Sequence, residues 1–271
     1  MYIFLISILG LCLGSFINAF VFRLHEKSNK KYSKVNLSIV NGRSICPSCE
    51  HELGPLDLVP VIGWLLLGGK CRYCSKSISL QYPIIELLTA LLFLFSFLYW
   101  PYDFGASGLV LLSLWYILLT GLISLALYDF KWLILPNKLV LSLTILWLIS
   151  LIIINIGYHQ YYMHLILCLI SGFIIFGFFY SIFIISEGKW IGGGDVKIGF
   201  LLGLIVATPI NSLLVIFIAS LLGTFYSLPG MVVNKKKLSS HIPFGPFLIL
   251  ATILIFLFGS KLIAFYSHIS I

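Results

Sequence analysis

The sequence predicts an all-α polytopic membrane protein with about eight transmembrane helices and a small polar domain between helices one and two. Of its 271 residues, 60% are hydrophobic and only 10% are charged. Soluble domains of this size carry about a quarter charged residues, so this composition excludes an ordinary soluble fold. The apolar residues are also gathered into runs, each long enough or nearly long enough to cross a bilayer.

Eight such runs are present, judged against the roughly 20 apolar residues that a spanning helix needs. The first lacks a basic segment before it and a small-residue cleavage site after it, so we expect a retained helix and not a removable signal peptide. The sixth is the shortest, and helices interrupted by glycine and proline often line polar cavities. The predicted helices cover about residues 1–22, 82–100, 106–128, 133–155, 163–186, 197–209, 211–230 and 244–266.

Basic residues predict the orientation of these helices, because lysine and arginine accumulate in short cytoplasmic loops. If the segment after helix one is cytoplasmic, sixteen of the seventeen basic residues lie on that side. Only Lys261 falls near the opposite side. The net charge of +8 follows from this sorting, and it is therefore weak evidence for a nucleic-acid partner; none is expected.

Two cysteine pairs mark residues 23–81, the one segment long enough for a soluble domain. Cys46 and Cys49 form CPSC, Cys71 and Cys74 form CRYC, and 21 residues separate the pairs. This pattern predicts a four-cysteine zinc site, which is structural because four thiolates leave no open position for water. Two disulfides are the rival interpretation, but they are rare in the reducing compartment that the orientation implies. The polar run that opens the segment is expected to be irregular.

Two carboxylates fall at the same predicted membrane edge, although they are 66 positions apart in the chain. Asp129 ends helix three, and Asp195 begins helix six behind Gly192, Gly193 and Gly194. Two opposed aspartates suit acid–base hydrolysis, because one keeps a proton while the other activates water. The glycines are predicted to form a loop that lets an extended substrate backbone approach Asp195.

Each of these acids also has a simpler interpretation. Taken alone, Asp195 is equally consistent with a helix N-cap. Asp129 alone is better explained as an interfacial residue paired with Lys131 or Lys138. The triple glycine lacks the spacing of a phosphate-binding loop. Elsewhere, Glu86 is expected to be a buried partner for a lysine.

Together these segments resemble the type IV prepilin peptidases, a bacterial family of membrane aspartyl proteases with a GxGD motif. "GSFINAFVFRL" at residues 14–24 is similar to the opening motif of the family, and the two cysteine pairs follow in the same order. "DFKWLILPNK" resembles the segment with the first catalytic aspartate, and "GGGDVK" resembles the GxGD motif. A proline that often follows "RL" in the family is replaced by His25.

The resemblance implies that Asp129 and Asp195 are the catalytic pair. It implies removal of a short basic leader from prepilin or pseudopilin precursors at the cytoplasmic face of the bacterial inner membrane. It also implies methylation of the new amino terminus with S-adenosylmethionine, at a site that the sequence does not locate. The cysteine pairs favour this bifunctional form over a peptidase-only enzyme. The expected organisation is a first helix (1–22), a zinc domain linked to methylation (23–81) and a seven-helix peptidase domain (82–271).

Two other functions are compatible with parts of the sequence. An ion-coupled transporter would also carry intramembrane acids and broken helices, but it predicts acids near mid-membrane and internal repeats. A membrane-tethered zinc module that recruits a partner would make both aspartates dispensable. The position of both acids at one membrane edge favours the peptidase.

Overall fold

The structure is a computed structural model, and it describes residues 1–29, 38, 42–158, 162–234 and 243–269. Residues 30–37 and 39–41, which make up most of the polar run predicted to be irregular, lie outside the described residues. The lysines at 235–237 lie outside them as well. Within the described ranges the fold is all-α, as predicted, and isolated β-bridges occur only beside the cysteine pairs.

Eight of the nine α-helices in the described ranges correspond to the eight predicted runs, and the ninth is a single short turn within the cysteine segment. Six helices are long and apolar enough to cross a membrane, so the chain is a multi-pass membrane protein. The helices are α1 (Tyr2–Asn29), α2 (Ile62–Leu66), α3 (Gln81–Leu98), α4 (Ala106–Trp132), α5 (Asn137–Gly157), α6 (Tyr162–Ile185), α7 (Gly193–Val206), α8 (Pro209–Asn234) and α9 (Gly245–Ile269).

The chain divides into two compact units, the first being Met1–Leu98. In this unit α1 packs directly on α3 through two glycines one turn apart. A Cβ atom added to Gly10 would lie 2.6 Å from Cα of Ala90, and one added to Gly14 would lie 2.6 Å from Cα of Glu86. This Gly-x-x-x-Gly pattern lets the two backbones approach closely, as in many membrane helix pairs.

The end of α1 differs from the prediction. The helix continues through Asn29, seven residues beyond the expected end at residue 22. The segment "RLHEKSN" contains no glycine or proline, and most of its residues are good helix formers, so nothing stops the hydrogen-bond ladder where the apolar run ends. The hydropathy of the sequence therefore predicts where the apolar run ends, and not where the helix ends.

The second unit, Tyr99–Ile271, contains α4 to α9. Its central element is α7, which packs against α5, α6 and α9 and buries Ile198, Leu201 and Leu204 completely. A Cβ atom on Gly203 would collide with the α6 backbone at Ser171. Because other helices cover most of α7, its residues from Ile198 to Val206 are all apolar or glycine, although the helix has only 14 residues.

Candidate active site

Asp129 lies in the last turn of α4, and the chain reverses immediately after it. Leu133 ends the helix in a left-handed conformation, and its N–H donates to the carbonyl oxygen of Asp129 at 2.8 Å. Pro136 then directly precedes α5, where a residue without an N–H is well tolerated. The side chain of Asp129 is buried, with only 6% of the residue exposed.

Asp195 lies in the first turn of α7, outside the six spans. The preceding connection needs Gly188, whose φ of +73° is a conformation that glycine adopts without strain. Gly192 caps α7 in an extended conformation, and Gly193 and Gly194 are already helical. The prediction that all three glycines form a loop is therefore wrong for Gly193 and Gly194. The reason is that α7 starts at Gly193, four residues before the predicted start at 197.

Two contacts join the segments around the two aspartates, and a third holds Asp129. The position of a Cβ on Gly194 lies 3.1 Å from the side chain of Leu135. The ammonium group of Lys197 donates to Oδ1 of Asn137 at 2.9 Å. These contacts join the start of α7 to the chain reversal that follows Asp129.

The third contact comes from α9, a helix that packs against both α4 and α7. The backbone N–H of Gly245, the first residue of α9, donates to Oδ2 of Asp129 at 3.1 Å. A Cβ atom at Gly245 would lie 2.7 Å from the same oxygen, so this position has no room for a side chain. Gly245 was not predicted from the sequence, although "PFGP" marks a helix start, since proline is favoured at the first helical turn.

The two carboxyl groups interact electrostatically. Burial and, to a smaller extent, the charge of Asp129 raise the pKa of Asp195 to about 7, while the Gly192 N–H acts in the opposite direction. The second negative charge nearby favours a state in which the two carboxyls share one proton. Such a pair presents both a base and an acid to a bound substrate.

The simpler interpretations of the two acids account for little of this geometry. No lysine lies within ion-pair distance of Asp129 among the described residues, where the only ion pairs are on other acids. Asp195 occupies the third position of α7 and not the cap, which is Gly192. Its contact with the Gly192 N–H does resemble the acid of a capping box, so Asp195 contributes to the helix start in addition to facing Asp129.

Two of the three glycines that precede Asp195 would make only ordinary van der Waals contacts if they carried a Cβ atom. A Cβ atom on Gly192 would meet no described atom closer than 3.9 Å, and one on Gly193 none closer than 3.8 Å. Neither residue has a positive φ. Local packing therefore does not require glycine at these two positions, whereas Gly194 is held tightly against Leu135.

The four predicted zinc ligands converge in the first unit. The Sγ atoms of Cys46, Cys49, Cys71 and Cys74 all lie within 4.8 Å of one another, so these residues can hold a metal ion. The Cys46 and Cys74 sulfurs are 3.9 Å apart. That distance is far above the roughly 2.05 Å of a disulfide bond and close to the about 3.8 Å expected between thiolates on tetrahedral zinc.

The two cysteine turns are built alike. In each, the residue after the second cysteine has a positive φ, 59° at Glu50 and 56° at Ser75. Its N–H donates to the carbonyl of the first cysteine, Cys46 or Cys71, at 2.9 Å. This repeated turn aims both thiolates of a pair to the same side, which is the arrangement a closed four-sulfur shell requires.

Replacing Cys46 by Ser should release the bound metal, because a hydroxyl is a poor zinc ligand and three thiolates no longer close the shell. We expect the metal content of the purified protein to fall from about one ion per chain to near zero. Limited proteolysis should then cut residues 42–80 faster than in the wild type. Cys12→Ser, a change outside the cluster, is the matched control and should keep the metal.

Three other acids, Glu86, Glu187 and Asp103, have contacts that explain them without catalysis. Glu86 was expected to pair with a lysine; instead its carboxylate accepts a hydrogen bond from the N–H of Val61 at 2.7 Å. This contact connects α3 to the cysteine segment. Val61, which donates the hydrogen bond, has a φ of +60°. Glu187 pairs with Lys189 in an exposed salt bridge, and Asp103 accepts from Tyr158.

Comparison with known proteins places both units in one family. The bacterial peptidase A24 N-terminal domain matches residues 8–100, and the type IV leader peptidase family matches residues 116–228. The prepilin leader peptidase/N-methyltransferase of Pseudomonas aeruginosa is 30% identical over 271 residues, covering 94% of this chain and 90% of the relative. The protein of that name from Vibrio cholerae is 33% identical over 262 residues, covering 94% and 96%.

A relative with the same name from Bacillus subtilis is 29% identical over 262 residues, covering 97% of this chain and 96% of its own. No solved structure matches significantly. Both aspartates lie within the segment that matches the peptidase family, residues 116–228. The chain therefore belongs to the type IV leader peptidase family.

Proposed function

We propose that this protein removes the leader from prepilin-like precursors, with Asp129 and Asp195 as its catalytic pair. The observation that carries the proposal is the electrostatic interaction between a buried carboxyl that ends α4 and a half-buried carboxyl that begins α7. Their segments are held together by Leu135 against Gly194 and by Asn137 with Lys197. The relatives named as prepilin leader peptidases support the substrate class.

The pair can hydrolyse a peptide bond with one water molecule. Ionised Asp129 takes a proton from the water, whose oxygen attacks the carbonyl carbon of the scissile bond. Protonated Asp195 donates its proton to the carbonyl oxygen as negative charge develops there. Transfer of a proton to the amide nitrogen then breaks the C–N bond and leaves a carboxyl group and a free amine. The Gly245 N–H binds Oδ2 of Asp129, and no other hydrogen bond to this carboxylate occurs among the described residues, so Oδ1 is available to the water.

The substrate can reach this pair in an extended conformation beside Gly192, which is exposed, and Gly193, because neither residue carries a side chain. Lys131, Lys138, Lys189 and Lys197 flank the two aspartates in the sequence. By the distribution of basic residues, this edge is the cytoplasmic side of the inner membrane. A precursor whose basic leader stays in the cytoplasm and whose apolar helix stays in lipid would present the bond between them here.

A second activity, methylation of the new amino terminus with S-adenosylmethionine, is supported by the names of the relatives. We assign no residue to the methyl donor. The four cysteines would hold zinc, which would fix the two turns of residues 23–81 without taking part in a chemical step. In this proposal residues 82–271 carry the peptidase, residues 1–22 anchor the chain, and the cysteine segment serves the methylation.

Purified protein incubated with a pilin-like precursor tests both activities in one assay. Mass spectrometry should show a product that has lost its leader and, when S-adenosylmethionine is added, a further gain of one methyl group. Cleavage without methyl gain would identify a peptidase-only enzyme. An intact precursor, with the protein folded and metal-loaded, would overturn the proposed function.

The pH dependence of cleavage follows from the shared proton. Burial and the charge of Asp129 raise the pKa of Asp195 to about 7. As the pH rises through that value, Asp195 loses the proton that it donates to the carbonyl oxygen. The rate at low substrate should therefore fall above about pH 7, by roughly tenfold for each further pH unit. A rate that stays constant from about pH 7 to about pH 9 would contradict the acid role of Asp195.

A further inference from the structure

A groove open toward the lipid runs along the outside of α7. It has a volume of about 390 Å³, and its floor is α7 while α5 and α6 form its walls. Leu141 and Phe173, on opposite walls, are 61% and 60% exposed, so the groove lies open at its rim. The apolar lining residues are Val140, Leu141, Phe173, Phe176 and Phe200.

One end of this groove is polar and positively charged. Lys197 and Asn137 line it there and are joined by their 2.9 Å hydrogen bond. That bond uses one of the three ammonium donors of Lys197. Among the described residues no carboxylate lies within ion-pair distance of Lys197. The charge is thus available to an anion outside the protein.

The groove is separate from the two aspartates. Lys197 follows Asp195 by two positions on α7, and two such residues of an α-helix point to nearly opposite sides. Asp195 interacts electrostatically with Asp129, while Lys197 lies between α5 and α6. A peptide bound for cleavage between the aspartates would therefore not occupy this groove.

We propose that this groove binds an anionic phospholipid, with its phosphate against Lys197 and Asn137 and an acyl chain against Phe200 on the floor and Phe173 and Phe176 on one wall. The polar end lies near Pro136, where α5 begins, and so at the level where lipid phosphates occur. Basic pockets between membrane helices are suited to anionic head groups. An anionic phospholipid has one charged end and one apolar end. The groove has the same arrangement, with Lys197 and Asn137 at one end and apolar residues beyond them.

The test uses the full-length protein in detergent with phosphatidylglycerol or phosphatidylcholine of identical acyl chains, and native mass spectrometry measures the lipid retained. The wild type should retain phosphatidylglycerol preferentially. Lys197→Gln should lower that retention by about fivefold, the usual effect of one basic residue on an anionic lipid. Lys197→Arg should restore it, which separates loss of charge from misfolding. Phe173→Ala should weaken retention of phosphatidylglycerol through the apolar end.

Lys261→Gln is the matched control, because this lysine lies at the far end of α9, over the ring of Tyr99. It should retain phosphatidylglycerol as the wild type does. Equal retention of both lipids, or full retention by Lys197→Gln, would overturn the proposal. If inorganic phosphate displaces the lipid, the groove is an anion site and not a phospholipid site. Displacement by the apolar helix of a precursor would assign the groove to the substrate.

Discussion

Asp129→Asn and Asp195→Asn should each lower the rate of leader removal by about 10²–10⁴-fold, which is the usual contribution of a positioned acid or base. The change keeps the size of the side chain and removes its ability to exchange a proton. Each variant should lose nearly the whole effect, and the double variant should lose little more, because the two groups act as one unit. Pulse-labelling of a co-expressed precursor measures the rate of conversion.

Asp103→Asn is the matched control for these variants, since Asp103 lies in the same unit and its carboxylate also accepts hydrogen bonds. An asparagine oxygen can accept the same bonds, so the control should process the precursor at the wild-type rate. Metal content and membrane abundance should be equal in all variants. If Asp129→Asn or Asp195→Asn still processes precursor at the normal rate, the assignment of the pair fails.

Residue type and spacing predicted those features that depend on local chemistry. Runs of apolar residues are forced into helices by the bilayer, which explains why eight helices were found near their true positions. The cysteine turns were predictable because each Cys-x-x-Cys pair forms its own turn. Asp129 and Asp195 could be predicted to lie at the same end of the helix bundle, because the number of helices between two positions decides whether they are at the same end.

Features that depend on tertiary packing were not predictable in the same way. The Gly245 N–H contacts Asp129 across 116 positions of sequence, and no pattern near either residue specifies that contact. The same holds for Val61 and Glu86, which are 25 positions apart. The glycines of α1 were an available signal, since Gly10 and Gly14 have the spacing of close helix pairs. Hydropathy also overlooked the polar end of α1, where helix propensity continues beyond the membrane.

Among these unpredicted contacts, the one from Gly245 has the largest expected effect on catalysis. Gly245→Ala places a methyl group 2.7 Å from Oδ2 of Asp129, closer than a carbon and an oxygen can approach. Either the carboxylate or the start of α9 must then move, and the 3.1 Å hydrogen bond is weakened or lost. We expect kcat to fall by about 10–100-fold, because small displacements of a catalytic group are costly. KM should change much less, since Gly245 binds the enzyme's own carboxylate.

A pH–rate profile distinguishes this positioning role from a general loss of stability. Without the Gly245 donor, the ionised form of Asp129 loses one of the groups that stabilise it. The acidic limb of the kcat profile should therefore move to higher pH, which a smaller fraction of folded enzyme would not cause. Gly177→Ala in α6 is the matched control, because its added Cβ would meet nothing within 4 Å. A Gly245→Ala enzyme with normal kcat and an unshifted profile would show that this N–H does not position the base, and the division of labour between Asp129 and Asp195 would have to be assigned on other grounds.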